Sequence, residues 1–213
     1  MPALSLTGPD AIVVGGGPAG LAAGMHLSRA GYRTLLLEKN ELGGQAGRIE
    51  WIENYPGFPA GIAGGELMAL WVAQARRWKL TFLRAEAKNI VRRQDGSFEL
   101  ILTKGSALRC RAVLCCAGAE FKRLGLPRED EFWGRGIHHA AFEEAALFRN
   151  KAVAVVGSGE AALHQALLLS KFARRVHLLS RGPSLKAHRL LKSRMRGHPN
   201  LAHIPNTTVD KGE

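Results

Sequence analysis

Short apolar runs alternate with amphipathic stretches in the first part of the chain. The run Ala11–Val14 is followed by glycines and predicts a buried parallel strand. The stretch from Pro18 to about Gly31 predicts a helix, with proline in its first turn and glycine just past its end. The next apolar run, residues 33–38, predicts a second strand. These elements form one strand–helix–strand unit.

The same order of elements returns in the last third of the chain. The apolar run Ala152–Val156 predicts a strand, the stretch that begins at Glu160 predicts a helix, and "RRVHLLSR" predicts the next strand. A basic helix over residues 184–197 and a polar end follow.

The residues between these two units show mixed patterns. Residues 65–78 predict an amphipathic helix, and residues 120–150 are irregular. Short strands are predicted over residues 79–83, 86–92, 97–102 and 111–116, with a hairpin turn at Asp95 and Gly96. We therefore predict an α/β fold of two Rossmann-like dinucleotide-binding domains with three layers each. The first covers residues 1–120, and the second, which we expect to be incomplete, covers residues 121–213.

The first glycine turn has the sequence context of a dinucleotide site. Its spacing is G-x-G-x-x-G between a strand and a helix, which allows a tight turn, close backbone approach to a pyrophosphate and close helix packing. Glu38 ends the next strand, where a carboxylate accepts hydrogen bonds from an adenosine ribose. The candidate residues are Gly15, Gly16, Gly17, Pro18, Ala19, Gly20, Glu38 and Lys39. A merely tight strand–helix turn is the alternative.

The second glycine turn is a variant in which Ala162 replaces the last glycine. Ser180 and Arg181 stand where the first unit has its acid, and Lys186 follows. Arginine pairs with a ribose 2′-phosphate, which a carboxylate repels, so this turn suits NADPH better than NADH. The alternative is that Arg181 is an ordinary solvated base. The candidate residues are Gly157, Ser158, Gly159, Glu160, Ala161, Arg181 and Lys186.

The net charge of +12 is concentrated in the second unit, since no acidic residue lies between Glu160 and Asp210. Such a block attracts polyanions, and a phosphorylated cofactor, nucleic acid or a solvated face could account for it. We do not favour nucleic acid, because no aromatic residues alternate with the basic side chains and no nucleic-acid-binding motif accompanies them. The first residues lack the pattern of a secretory leader, and no apolar run approaches the roughly 18 residues of a membrane span. The expectation is a cytoplasmic protein.

Eight segments occur in the order and nearly at the spacing of one known family: "VVGGGPAGLAAG", "ELGGQ", "IENYPGFP", "LCCAGA", "RLGLPRED", "GRGI", "RNKAVAVVGSGEAA" and "RRVHLLSR". The chain resembles the first two-thirds of a thioredoxin reductase, an FAD-dependent pyridine nucleotide-disulfide oxidoreductase. The resemblance implies FAD in the first domain, NADPH (or NADH) in the second, hydride transfer from the nicotinamide to the flavin, and a homodimer in the full-length form. It further implies an FAD site lined by Gly43, Gly44, Gln45, Asn54, Ala117 and Gly118.

The chain departs from this family at the redox-active Cys-x-x-Cys, whose positions hold Ala140 and Glu143. We expect Cys110, Cys115 and Cys116 to be small buried core residues, because neighbours on one strand cannot form a disulfide. The acceptor, a small molecule or a protein, is therefore unknown. Two alternatives remain. The chain could be a thioredoxin-disulfide reductase, which only the family name supports, or a truncated non-catalytic module that binds nucleotides or senses redox state. A metal site at His138, His139, Glu143 and Glu144 is a weaker hypothesis than linker structure.

Two further departures weaken the cofactor sites. Gly182 stands where the family has a second arginine, which reduces the preference for NADPH. The family's late strand ends in Gly-Asp and closes the flavin domain, and no Gly-Asp dipeptide occurs in this sequence. We therefore expect poor retention of FAD and a tendency to aggregate, since a sheet without its edge strand exposes unpaired backbone groups.

Overall fold

A computed structural model describes residues 8–120, 122–139 and 145–210 of the chain. The chain divides into two units, Met1–Ala119 and Glu120–Glu213. Ala140, Glu143 and Glu144, which bear on the dithiol and metal hypotheses, lie outside the described residues.

The first unit combines a parallel sheet with an antiparallel one. Its strands in chain order are β1 (Ala11–Val14), β2 (Thr34–Glu38), β3 (Thr81–Arg84), β4 (Ala87–Arg92), β5 (Phe98–Leu102), β6 (Ala107–Cys110) and β7 (Ala112–Cys115), and its helices are α1 (Pro18–Arg29) and α2 (Gly64–Arg77). The parallel sheet has the order β3-β2-β1-β7, and β4, β5 and β6 form the antiparallel sheet. Within the described residues no strand pairs with the outer side of β7.

Alternate residues of the parallel strands enter two different cores, as strand geometry requires. Val13 and Leu36 pack with Leu21 and Leu67 of the helices. Their neighbour Ile12 packs on the opposite face with Leu100 of the antiparallel sheet. The parallel sheet therefore lies between helices and a second sheet, which confirms the predicted three layers for this unit.

The hairpin predicted at Asp95 is present between β4 and β5. The Asp95 carboxylate accepts hydrogen bonds from the Ser97 N–H and hydroxyl, and these bonds stabilise the turn. The strand predicted over residues 111–116 is present as β7, whereas β6 over Ala107–Cys110 was not predicted. Two strands, β6 and β7, meet at Arg111 and belong to different sheets.

The second unit repeats the strand–helix–strand order. Its elements are α3 (Glu129–Phe132), β8 (Ala152–Val156), α4 (Glu160–Ser170), β9 (Arg175–Leu179), α5 (Arg189–Arg194) and β10 (Leu201–Ile204). The sheet is parallel with the order β10-β9-β8. Val176 and Leu178 pack with Leu163 of α4 in the core, whereas Val156 is 40% exposed.

The basic helix of this unit is shorter than predicted. It begins at Arg189 and not at residue 184, because the preceding loop places Leu185 and Ala187 in the core. The strand β10 lies where the sequence suggested only a polar end, and it is held by parallel pairing to β9.

Glu129 is a buried carboxylate that organises the loop before α3. Its oxygens accept hydrogen bonds from the N–H groups of Leu124, Gly125 and Leu126, at 3.0, 2.7 and 3.2 Å. The pKa of Glu129 is held below its ordinary value, chiefly by the hydrogen bond from the Leu124 N–H. The N–H groups of Gly125 and Leu126 and the charge of Arg123 also lower it, whereas burial opposes the shift.

We expect a Glu129→Gln variant to be less stable than the wild type at neutral pH, with a difference that shrinks in acid. A folded-state pKa below the unfolded one stabilises above the unfolded pKa, and this contribution is lost as the pH falls through the folded pKa. Urea unfolding followed by tryptophan fluorescence across a pH series measures the difference. Glu131→Gln is the matched control, because the exposed pair of Glu131 with Arg128 contributes little. A difference that stays constant in acid contradicts the assignment.

Candidate functional site

The first glycine turn brings α1 unusually close to the end of β1. Gly15 has a φ of +108°, a conformation that glycine adopts without strain. A Cβ added to Gly20 would lie 1.8 Å from the Gly15 carbonyl oxygen. Glycine is therefore required at both positions, and the helix begins directly at the carboxyl edge of the sheet.

The start of α1 offers backbone N–H groups without a side-chain partner. Gly17 is the N-cap residue in extended conformation, and no side chain caps the helix among the described residues. The position of a Cβ on Gly17 is also open, since only the Gly44 Cα comes as near as 3.8 Å. Uncapped N–H groups and the positive end of the helix dipole suit an anionic diphosphate. Among the described residues, the Gly44 Cα is the atom nearest to that Cβ position.

Two loops flank this turn. The Gly43 N–H donates to the Gly16 carbonyl oxygen at 2.8 Å, and the Gln45 side-chain amide donates to the Ala119 carbonyl oxygen at 2.6 Å. A Cβ on Gly15 would lie 2.2 Å from the Cys116 carbonyl oxygen and 3.0 Å from the Ala117 Cα. The structure therefore places residues 43–45 and the segment 116–117 beside the glycine turn.

Glu38 lies beside the turn, but its carboxylate is engaged by the protein. One oxygen accepts the Gly16 N–H at 2.6 Å, and the other accepts the Asn40 N–H at 2.8 Å. A carboxylate has about four acceptor positions, so two remain for a ligand hydroxyl. The sequence predicted Glu38 as a candidate residue, but it did not predict the hydrogen bond that Glu38 accepts from the glycine turn.

Lys39 and Asn54 are two further candidate residues of the first unit. The Lys39 ammonium lies 3.5 Å from a Glu86 carboxylate oxygen. Asn54 is exposed in a neighbouring segment, where the next residue, Tyr55, packs its ring against Trp71.

In the second glycine turn the helix also lies close to the end of the strand, but here the helix residue has a methyl group and the strand end supplies the space. Gly157 has a φ of +150°, and a Cβ on it would lie 2.7 Å from the Ala162 methyl group. The glycine is thus at the end of the strand, and the helix carries the methyl group. Gly159 is the N-cap of α4, without a capping side chain among the described residues, and a Cβ on it would meet no atom within 4 Å.

The loop between β9 and α5 folds back onto this turn. The Lys186 N–H donates to the Ser158 carbonyl oxygen at 2.6 Å. The side chains of Arg181 and Lys186 are exposed and form no ion pair with any described residue. Ser180, expected to present its hydroxyl, is instead buried, with its Oγ donating to the Gly182 carbonyl oxygen and 2.8 Å from His203 Nε2.

Glu160 and His188 form a contact that the sequence did not reveal. The Glu160 Oε1 atom lies 3.0 Å from His188 Nε2 and accepts the His188 N–H at 3.3 Å. These residues are separated by 28 positions, so no local pattern predicts their pairing. Ala161 is exposed in the first turn of the same helix.

The three cysteines are free thiols. Cys110 is buried and burial raises its pKa, and burial likewise raises the pKa of the half-buried Cys116. The expectation that all three are buried was wrong for Cys115, which is exposed at the end of β7. Cys110 and Cys115 also lie in different sheets and not along one strand.

The described part of the chain contains no cluster of ligands for a metal ion. His138 packs on Phe148 and His139 on Trp133. Burial lowers the pKa of His139. Within the described ranges no helix has the length and apolarity to cross a membrane.

A family model described as pyridine nucleotide-disulphide oxidoreductase matches residues 9–211. The chain belongs to this family. It is 35% identical over 201 residues to the thioredoxin reductase of Bacillus subtilis, covering 94% of this chain and 62% of that protein. It is 36% identical over 208 residues to the NADPH-dependent thioredoxin reductase 3 of Arabidopsis thaliana, covering 94% of this chain and 39% of that protein.

The fold also matches solved structures. The thioredoxin reductase of Lactococcus lactis superposes with a TM-score of 0.91 at 27% identity, covering 96% of this chain and 67% of that one. The thioredoxin reductase of T. acidophilum gives a TM-score of 0.88 at 25% identity, covering 98% and 68%. These matches confirm the predicted fold class and the resemblance to thioredoxin reductases.

We expect Gly20→Ala to lower the free energy of unfolding by at least about 1–3 kcal/mol, the usual cost of forcing extra volume into a packed site. The new methyl group would overlap the Gly15 carbonyl oxygen. Gly65→Ala is the matched control in the first turn of α2, where a Cβ meets only the Gly47 carbonyl oxygen at 3.5 Å. That variant should be more stable by about 0.5–1 kcal/mol. Equal effects of the two variants in urea unfolding contradict the close approach.

We expect Cys115 to be the first thiol of the folded chain to react with a disulfide reagent such as Ellman's reagent. Cys110 is buried, and burial disfavours the thiolates of both Cys110 and Cys116. Cys115→Ser should remove the fast phase while leaving the slower thiols. Unfolding in urea should make all remaining thiols react at similar rates, which provides the control. A fast phase that survives in Cys115→Ser refutes this assignment.

Proposed function

We propose that the chain is an NAD(P)H-dependent FAD oxidoreductase of the thioredoxin reductase type. The observation that carries the proposal is the presence of two strand–glycine turn–helix units, in each of which the helix follows an N-cap glycine with room for a Cβ and is capped by no described side chain. Such a helix start accepts a diphosphate through its N–H groups and its dipole. Under this proposal the first unit is the FAD-binding domain and the second a partial NADPH-binding domain.

The first turn has the groups that an FAD molecule requires. Gly17 and Gly44 leave the diphosphate position free of side chains. Glu38 keeps two acceptor positions for the adenosine ribose, and Gln45 holds the 117–119 loop beside the turn. When bound, FAD and NADPH supply hydride transfer between nicotinamide and flavin. Under the proposal the protein contributes the positioning of the two cofactors.

The second turn favours a phosphorylated nicotinamide cofactor. Arg181 and Lys186 are exposed cations, and the Lys186 backbone is bonded to the turn. Both can pair with a ribose 2′-phosphate. The glycine at position 182 provides no third cation, so we expect a moderate preference for NADPH and measurable binding of NADH.

We propose that electrons leave the flavin without an internal dithiol. The sequence has Ala140 and Glu143 at the family's two cysteine positions. The remaining cysteines are free, and Cys110 and Cys115 lie in different sheets. A small molecule or a protein would therefore accept the electrons directly. The names of the relatives make thioredoxin the first protein acceptor to test, and we keep a homodimer as the proposed full-length assembly.

Two alanine variants separate the cofactor sites without disturbing the fold. Gly17 and Gly159 both have ordinary negative φ values and space for a methyl group. Gly17→Ala should weaken FAD binding about tenfold or more, the value of one hydrogen bond to a charged group, and leave NADP⁺ binding unchanged. Gly159→Ala should have the opposite effect, so that each variant is the control for the other. FAD titration by flavin fluorescence and calorimetric titration with NADP⁺ measure the two constants.

The activity itself is tested by adding NADPH to the FAD-loaded chain without oxygen. Bleaching of the flavin absorbance supports the oxidoreductase. Binding of both cofactors without bleaching supports a non-catalytic nucleotide-binding module in place of an enzyme. NADPH-dependent reduction of thioredoxin by the chain alone contradicts the absence of an internal dithiol.

A further inference from the structure

Glu160 is the only acidic residue between positions 145 and 209. It stands in the first turn of α4, directly after the N-cap Gly159. A carboxylate at this position interacts favourably with the helix dipole, but it repels a diphosphate bound at the same helix end. A dinucleotide site with this residue therefore needs a way to control the carboxylate.

The structure directs this carboxylate toward the neighbouring helix. Its Oε1 atom lies 3.0 Å from His188 Nε2 and 3.3 Å from the His188 backbone nitrogen. His188 is the N-cap residue of α5. Among the described contacts, the Glu160 carboxylate accepts no hydrogen bond from the N–H groups of its own helix. It is thus held at the start of α5, and the N–H groups of α4 stay available.

The contact contributes little to the stability of the fold. The His188 side chain is 85% exposed and that of Glu160 is 44% exposed, and exposed ion pairs contribute about 0–1 kcal/mol. Its effect is the placement of a negative charge. The same loop is independently anchored by the Lys186 N–H on the Ser158 carbonyl oxygen, so the loop does not depend on His188 alone.

We infer that His188 is a positioning residue of the nicotinamide nucleotide site, which holds the Glu160 carboxylate away from the diphosphate at the start of α4. This inference rests on the proposed function of the second glycine turn. Without the imidazole only the longer bond from the backbone N–H of residue 188 holds the carboxylate, which can then turn toward the N–H groups of α4 and the position of the anionic ligand. The effect acts on the diphosphate, which NAD⁺ and NADP⁺ share, and not on the 2′-phosphate.

A double-mutant cycle on the full chain tests this role. Calorimetric titrations with NADP⁺ and with NAD⁺ compare the wild type with His188→Ala, Glu160→Gln and the double variant. His188→Ala should weaken both ligands by the same factor, roughly two- to fivefold, as expected for one charge near a helix terminus. Glu160→Gln should bind at least as well as the wild type. The double variant should recover the affinity of Glu160→Gln, because the charge that His188 controls is then absent.

Arg181→Ala serves as the matched comparison, since it should weaken NADP⁺ and leave NAD⁺ unchanged. Unaltered affinities in His188→Ala overturn the inference. A double variant as weak as His188→Ala also overturns it, because His188 then acts only by supporting the loop. If the wild type binds neither NADP⁺ nor NAD⁺, the proposed nucleotide site is itself wrong and the inference fails with it.

Discussion

The close approach between a helix and the end of a buried strand is the constraint on which both candidate sites depend. In the first unit the helix comes so near that a Cβ on Gly20 would lie 1.8 Å from the Gly15 carbonyl oxygen. In the second unit the Ala162 methyl group occupies the contact, and Gly157 supplies the space. Either arrangement puts the start of a helix at the carboxyl edge of a parallel sheet, where its N–H groups can receive an anion.

Each turn also has an acidic side chain whose charge the protein controls by hydrogen bonding. Glu38 is held by the N–H groups of Gly16 and Asn40, and Glu160 by the backbone and imidazole of His188. Neither carboxylate caps the helix of its own turn, and both helix starts remain uncapped by described side chains. The same residue type therefore stands near both candidate anion positions without capping either helix.

Family membership and redox chemistry lead to different expectations for this chain. Membership of the family rests on the sequence match over residues 9–211. A disulfide reductase also needs two cysteines that can approach each other within about 7 Å between Cα atoms. Cys110 is at the end of an antiparallel strand and Cys115 at the end of a parallel one, which is why we place the acceptor outside the chain.

The sequence by itself determined the elements that depend on local periodicity and on glycine. The strands β1, β2 and β8, the helices α1, α2 and α4 and both glycine turns follow from apolar runs and turn residues close together in the chain. It did not predict β10, whose pairing to β9 is non-local, or the late start of α5, which the burial of Leu185 and Ala187 delays. The separation of Cys110 from Cys115, the inward turn of the Ser180 hydroxyl and the Glu160–His188 contact were decided only by the tertiary structure. Each of these features joins residues through packing or hydrogen bonds across the fold, and the order of residues along a chain does not encode such distances directly.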